Sequence, residues 1–411
     1  MYRRNLREAV ITALSDTPAV FLQGPRQAGK STLAQQIAES DHPARYLSLD
    51  DAAVLSAAKE DPQGFVSGFS GPVVLDEVQR VPELFLAIKR EIDKRREPGK
   101  FLLTGSADVL LLPKISESLA GRLEILTLWP LSQGELAAHA EGFIDKMFGS
   151  SLPVVIPRGE DKASLMARVL TGGYPEVIAR NERERQHAWF GSYITTILQR
   201  DIRDLARIDA LADVSRLLSI LAASTSRILN FSDLSRGISV PRSSLRRYTT
   251  LLEATFLLHP LPAWFRNLGK RLVKSAKVLL SDSGLAAHLV GADESRLLSD
   301  PHIGGQTLET FAIMEILKQT GWSKTKPRLF HYRTHSQLEV DVVLENRAGQ
   351  IVGIEIKSST SLKSDASAGL KSLAESCGES FLRGVILYLG EQIVPFSQRI
   401  HAVPLPALWC W

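Results

Sequence analysis

Cysteine is scarce: the 411 residues contain only Cys377 and Cys410. Neither shows metal-ligand spacing and the nine histidines are scattered. That excludes a zinc site and a disulfide framework, leaves at most one late pairing, and points to a reducing, cytoplasmic setting. Long apolar runs are missing too, none approaching the ~18–20 residues of a membrane span. Met1-Tyr2-Arg3-Arg4 begins like a signal peptide, but Glu8 and Asp16 interrupt any apolar core that could come after it. The expectation is therefore neither export nor a membrane partner. Acidic residues are nearly absent from one window, 241–280. There Arg242, Arg246, Arg247, Arg266, Lys270, Arg271, Lys274 and Lys277 face the single acid Glu253, while the whole chain carries a net charge of only +4. So local an excess points to a polyanionic partner or to a solvated basic face.

The first motif present is Phe21-Leu22-Gln23-Gly24-Pro25-Arg26-Gln27-Ala28-Gly29-Lys30-Ser31-Thr32. It places G-x-x-x-x-G-K-S/T directly after the apolar run Ala19 to Leu22 and directly before Leu33 to Ala38. The order is strand, glycine loop, helix. Gly24 and Gly29 permit a tight turn with inward N–H groups, and the helix N-terminus adds positive potential, so residues Gly24, Pro25, Arg26, Gln27, Ala28, Gly29, Lys30, Ser31 and Thr32 are expected to hold ATP. Lys30 would reach the β- and γ-phosphates and Ser31 a Mg²⁺ ion. Downstream, the strand Val73-Val74-Leu75 ends in Asp76-Glu77; Asp76 suits a Mg²⁺-bound water and Glu77 the attacking water. A further apolar strand ends at Thr104-Gly105-Ser106. Thr104 is the first choice for a γ-phosphate sensor, Ser106 the second, and a hydroxyl that merely caps the next turn is the alternative.

Strands alternating with helices imply a parallel sheet with ligands at its C-terminal edge. The order of Gly24 to Ser31, Asp76-Glu77, Thr104-Gly105-Ser106, then Ser118-Leu119-Ala120-Gly121-Arg122 and Leu128-Trp129-Pro130-Leu131-Ser132 resembles the AAA+ superfamily. More narrowly, it resembles a widespread group of prokaryotic AAA+-type ATPases with a winged helix and a C-terminal PD-(D/E)xK nuclease-like domain. By that resemblance Arg122 is an arginine-finger or phosphate-sensor candidate, serving its own subunit or, in a homo-oligomer, a neighbour. The alternative is a basic residue opening the strand Leu123 to Leu128. Tyr193 to Leu205 resembles the segment with which such ATPases join the nucleotide domain to the rest of the chain.

From Asp213 to His259 the pattern is compact and helical. Asn230 or Ser232 can cap a short helix to Arg236, Gly237 to Val240 makes the turn, and Pro241 opens a second helix. This helix-turn-helix exposes Arg242, Ser243, Arg246 and Arg247, and the segments near Phe256 to Pro262 and Lys270 to Leu280 supply a wing, with Lys270 and Arg271 adding charge. These six are the expected nucleic-acid contacts.

Leu338 to Leu344 and Ile351 to Lys357 alternate with period two around Asn346 to Gln350 and predict a hairpin. Residues i and i+2 share a face, so Asp341, Glu355 and Lys357 can converge. Glu309 lies on the apolar stripe of the helix Gln306 to Gln319 and requires a partner there. Two carboxylates and a lysine suit metal-dependent phosphodiester hydrolysis. The set Glu309, Asp341, Glu355 and Lys357 resembles the PD-(D/E)xK superfamily, with Asp341 and Glu355 as its Mg²⁺ ligands and Val340 standing where the motif has proline. The expected fold is thus α/β throughout: a P-loop NTPase parallel sheet at 1–140, a helical lid or linker at 141–210, a winged helix at 211–280 and a restriction-endonuclease-like domain at 281–411. Two functions compete. One is a Mg²⁺- and ATP-dependent protein acting on DNA, including branched or otherwise structured DNA. The other is a regulatory or signalling ATPase switch, in stress response or defence, whose C-terminal domain binds a protein partner without cleavage.

Overall fold

The computed structural model describes residues 2–108, 121–153, 160–203, 211–267, 269, 271 and 275–411. The chain divides into two compact units. Arg3–Leu131 with Thr250–Leu257 form the first, and Ser132–Thr249 with Leu258–Trp411 form the second. Among the described residues no helix is long and apolar enough to cross a membrane.

The first unit is built on strands β1 (Ala19–Gln23), β2 (Arg45–Ser48), β3 (Val73–Asp76), β4 (Phe101–Gly105) and β5 (Leu123–Thr127), in the order β2-β3-β4-β1-β5. All pairs are parallel. β1 and β4 are buried along their whole length, as continuous apolar strands in the middle of a covered sheet must be. The helix Glu83–Lys94 packs through Leu84, Phe85, Ile88 and Ile92, which recur at helical spacing, and Phe85 meets Phe21 of β1 edge to face. β4 lies between β1 and β3, so three strand ends converge on one edge.

Glu253, near the end of the helix Arg242–Ala254, belongs to this unit and feels the charge of Asp108. Burial first, and Asp108 second, lift its carboxyl to about 7. Its native pKa exceeds its unfolded one, so the folded chain holds the extra proton between about pH 4.5 and 7, and stability falls as pH rises through that window. Glu253→Gln is expected to flatten this decline, gaining about 2 kcal/mol on the parent between pH 4.5 and pH 8. Urea midpoints of both proteins at the two pH values measure it.

The second unit holds two sheets. The smaller is antiparallel, β6 (Arg227–Ile228), β7 (Leu258–Leu261) and β8 (Lys277–Leu280) in the order β6-β8-β7. The helix Leu211–Ala223 packs on β8, and the helices Phe231–Ile238 and Arg242–Ala254 come between β6 and β7 in the chain, the first of these two capped by Asn230 as its sequence predicts. β6 has no counterpart in the sequence pattern, since two residues carry no periodicity. The larger sheet comprises β9 (Arg328–Arg333), β10 (Glu339–Glu345), β11 (Ile351–Ile356), β12 (Phe381–Tyr388), β13 (Val394–Pro395) and β14 (Ile400–Pro404), ordered β13-β14-β12-β11-β10-β9. The expected hairpin is there, with Val342 opposite Ile354. Just beyond β7, Trp264 N donates to His331 O and His331 N donates to Pro262 O, so the small sheet is stitched to edge strand β9.

Candidate functional sites

At the end of β1 the phosphate loop turns as the sequence predicts. Gly29 has φ +96° and immediately precedes the helix Lys30–Glu39. Gly24 has φ +148°, and a Cβ there would lie 2.1 Å from the Leu128 carbonyl oxygen, so no other residue fits without moving the exit of β5. Lys30 Nζ donates to the carbonyls of Gly24 and Pro25 at 3.0 and 2.9 Å, folding over its own loop. The guanidinium of Arg4, which the sequence did not single out, donates to Ala28 O and Trp129 O at 2.7 Å each and braces the loop from the N-terminal side.

Beside the loop, Asp76 is the centre of a hydroxyl cluster. Ser31 Oγ donates to its Oδ1 at 2.8 Å, Thr104 Oγ1 donates to the same oxygen, and Ser48 Oγ reaches Oδ2 at 3.4 Å. A hydroxyl next to a carboxylate at the foot of a phosphate loop is a hard-oxygen set that fits Mg²⁺, which commonly takes one or two protein oxygens plus phosphates. Glu77 adopts a left-handed backbone, φ +59° and ψ +41°. Its Oε2 accepts from Gln79 Nε2, which also donates to Ser106 Oγ at 3.0 Å, and its N–H donates to Thr104 Oγ1 at 3.2 Å. Thr104, the first choice for a phosphate sensor, is fully buried, and its hydroxyl donates to Asp76 and accepts the Glu77 N–H, an arrangement that positions the two acids. Ser106 and Gln79 are the groups that address the Glu77 carboxylate. Arg122 is paired with Asp93 just before β5; Ser118 to Ala120 of the same motif lie outside the described residues.

On the second unit, Arg242, Ser243, Arg246 and Arg247 are exposed while Leu245, Tyr248 and Thr249 of the same helix are buried. One helix thus offers a basic face and an apolar back. Lys270 lies outside the described residues. The expectation for Arg271 is corrected: its guanidinium pairs with Glu345 and rests over the rings of Trp264 and Phe330, with only 9% of the side chain exposed. It is a structural rivet, not a contact open to phosphate.

In the C-terminal sheet the predicted set does converge. Asp341 Oδ2 accepts from Ile356 N at 2.9 Å, linking β10 to the end of β11, and Lys357 Nζ donates to Glu355 Oε1 at 2.7 Å. Asp341 lies where the β9–β10 register shifts, between Val340 and Val343. Glu309 projects from the helix Pro301–Thr320. Between it and Asp341 stands a residue counted in the sequence only as charge: Lys277 Nζ donates to Glu309 Oε1 at 2.8 Å and to Asp341 Oδ1 at 3.2 Å, its side chain 4% exposed. A lysine opening the apolar strand Val278–Leu280 was the available signal, because a buried ammonium demands acids.

The electrostatics derive from burial. Burial first, then the charge of Asp341, raises Glu309 to about 8 against the opposing pull of Lys277. Glu355 is raised to about 8 by burial and then by Asp341, with Lys357 opposing. Burial alone would lower Lys277, but Asp341 and Glu309 outweigh it and hold the ammonium above the ordinary lysine range. As arranged, these donors do not fit a divalent ion: Glu309 Oε1 and Asp341 Oδ1 face an ammonium, Asp341 Oδ2 holds a backbone N–H, and Glu355 Oε1 holds Lys357. Among the described residues no group of three or more histidine, cysteine or acidic side chains is set to hold a metal. The expected Mg²⁺ ligation by Asp341 and Glu355 is corrected to an ammonium-neutralised cluster.

Three family models match the chain: an AAA domain over residues 16–137, a domain of unknown function (DUF8612) over 162–296, and a domain of unknown function (DUF4143) over 304–408. Over 406 residues the chain is 32% identical to "Uncharacterized protein Mb2031c" of Mycobacterium bovis, covering 98% of this chain and 83% of that one. The same figures hold for "Uncharacterized protein Rv2008c" of Mycobacterium tuberculosis. Among solved structures, the Thermotoga maritima RuvB Holliday junction branch migration motor aligns over 63% of this chain and 89% of its own, at 21% identity and a TM-score of 0.28. That superposition is too loose to carry a conclusion. Alignment along nearly the whole chain makes it a member of the family of the two mycobacterial proteins, and the AAA domain match over the phosphate loop and acid pair makes it an AAA-type ATPase.

Proposed function

We propose that this AAA-type ATPase uses its nucleotide cycle to act on DNA, through a winged helix at 211–280 and a PD-(D/E)xK-like domain at 281–411 joined to the ATPase domain at 1–140 by a helical linker at 141–210. The observation that carries the DNA reading is the exposed face of Arg242, Ser243, Arg246 and Arg247 on the helix Arg242–Ala254, which follows the helix Phe231–Ile238 across a short break at 239–241, in a unit that also holds a three-stranded antiparallel sheet. In the ATPase site, the loop Gly24 to Thr32 cradles the phosphates, Lys30 leaves its own carbonyls for the β- and γ-phosphates, and Ser31 with Asp76 would hold Mg²⁺. The ion, when bound, neutralises phosphate charge. Glu77 aligns the attacking water, Thr104 holds both acids in place, and Arg122 is the candidate finger, released from Asp93 when it acts.

ATP turnover measured alone and with single-stranded, duplex and four-way-junction DNA tests this reading. Stimulation by DNA is expected. Arg246→Ala with Arg247→Ala should weaken binding across sequences and flatten the salt dependence by about two units of slope. Turnover indifferent to every nucleic acid would favour the second reading, a regulatory switch whose C-terminal domain binds a protein without cutting. That alternative draws support from Lys277, which neutralises the carboxylates a nuclease would give to a metal.

A further inference from the structure

We propose that Lys277 is the built-in cation of the C-terminal carboxylate site, so that its ammonium and a divalent metal are mutually exclusive occupants of the space between Glu309 and Asp341. The site is a latent divalent-cation site, closed by a lysine from another sheet.

Three observations carry this. First, the ammonium bonds both carboxylates, one from a helix and one from β10, while its own strand belongs to the smaller sheet. Second, Lys277 is not a swinging surface lysine. Its backbone is paired on both sides, with Ile228 of β6 and Leu261 of β7. The neighbouring hydroxyls of Thr225 and Ser226 bond Thr310 Oγ1 at 2.9 and 3.0 Å, which fixes the small sheet against the helix one residue beyond Glu309. Third, the carboxylate that Lys277 does not reach keeps an unspent acceptor: Glu355 Oε2 is buried without a hydrogen-bond partner. A Mg²⁺ or Mn²⁺ ion needs oxygens at about 2.0–2.2 Å. The oxygens it would take are those the lysine holds, and two cations sharing them in a poorly solvated site repel strongly. Removing the lysine would leave Glu309 and Asp341 uncompensated beside the unspent Glu355 Oε2, and such a set recruits a hard divalent ion.

The inference goes beyond the DNA reading, and its test contains no DNA or nucleotide, so either can fail alone. Mn²⁺ binding to the full chain is followed by electron paramagnetic resonance for the parent, Asp341→Asn, Lys277→Met and the double variant. Any ion at the phosphate loop is common to all four and cancels. The parent and Asp341→Asn should bind Mn²⁺ identically. Lys277→Met should gain one ion per chain, at least tenfold tighter than any further ion, and the double variant should lose it. Mn²⁺ should also raise the melting temperature of Lys277→Met and leave that of the double variant unchanged. Two results would overturn the proposal: Asp341-dependent Mn²⁺ binding by the parent, or a folded Lys277→Met with no added ion. The comparison of parent with Asp341→Asn decides even if Lys277→Met does not fold.

Discussion

Glu77→Gln is expected to lower ATP turnover by about 10²–10⁴-fold while ATP binding stays near the parent value. Glutamine keeps the length and shape of the side chain and removes only the proton-accepting charge. The surroundings are arranged for that charge: Gln79 donates to Oε2, Ser106 Oγ stands 3.3 Å from the same oxygen, and Thr104 accepts the Glu77 backbone N–H. The left-handed backbone at Glu77 is costly for a residue with a Cβ, about 1–3 kcal/mol, and such strain persists where neighbouring structure imposes it. Glu77→Gly therefore serves as a second arm. It should be at least as stable as the parent and equally poor in turnover, which separates the carboxylate from the backbone geometry. Steady-state turnover and equilibrium binding of a fluorescent ATP analogue read both arms. Turnover near the parent rate in Glu77→Gln would remove Glu77 from the water-aligning role and turn attention to Asp76.

The same neighbourhood indicates what a sequence can convey. The strand, loop and helix of the phosphate site occupy consecutive residues, so Gly24, Gly29 and Lys30 declare themselves by order alone. Asp76-Glu77 and the β10–β11 hairpin are equally local, one an apolar run ending in acids and the other a period-two alternation. Thr104 is recognisable as a hydroxyl at a strand end, but its partner is not, because only the sheet order puts β4 between β1 and β3. Lys277 lies 32 residues from Glu309 and 64 from Asp341. No periodicity connects them. Arg4 reaches Trp129 across 125 residues for the same reason. Glu309 is legible from one side only: its place on an apolar stripe demands a partner, and the partner is an ammonium, where a metal was expected. Close pairs that depend on tertiary closure escape a reading built on local pattern, and here they include the groups that set the charge of the C-terminal site.

Arg271 provides the sharpest contrast between charge counted along a chain and charge placed in a fold. Arg271→Ala is expected to destabilise the protein by about 3 kcal/mol and to leave the salt dependence of the proposed DNA binding unchanged. The substitution strands Glu345, whose side chain is 13% exposed; among the described residues the more distant Arg328, at 3.7 Å, is the remaining ion-pair partner. It also uncovers the faces of Trp264 and Phe330 and removes the donor to Phe265 O. Arg271→Lys should recover little, because one ammonium cannot reproduce a planar group that pairs with a carboxylate while lying over two rings. Replacing Glu345 by glutamine in the Arg271→Ala background should restore part of the loss by removing the orphaned charge, and a double-mutant cycle from urea unfolding measures that coupling. The exposed Arg246 is expected to behave oppositely, with little effect on stability and a clear change in salt slope. If Arg271→Ala weakened DNA binding as Arg246→Ala does while unfolding like the parent, the guanidinium would have to leave Glu345 in solution, and the basic face of this unit would extend onto the sheet side.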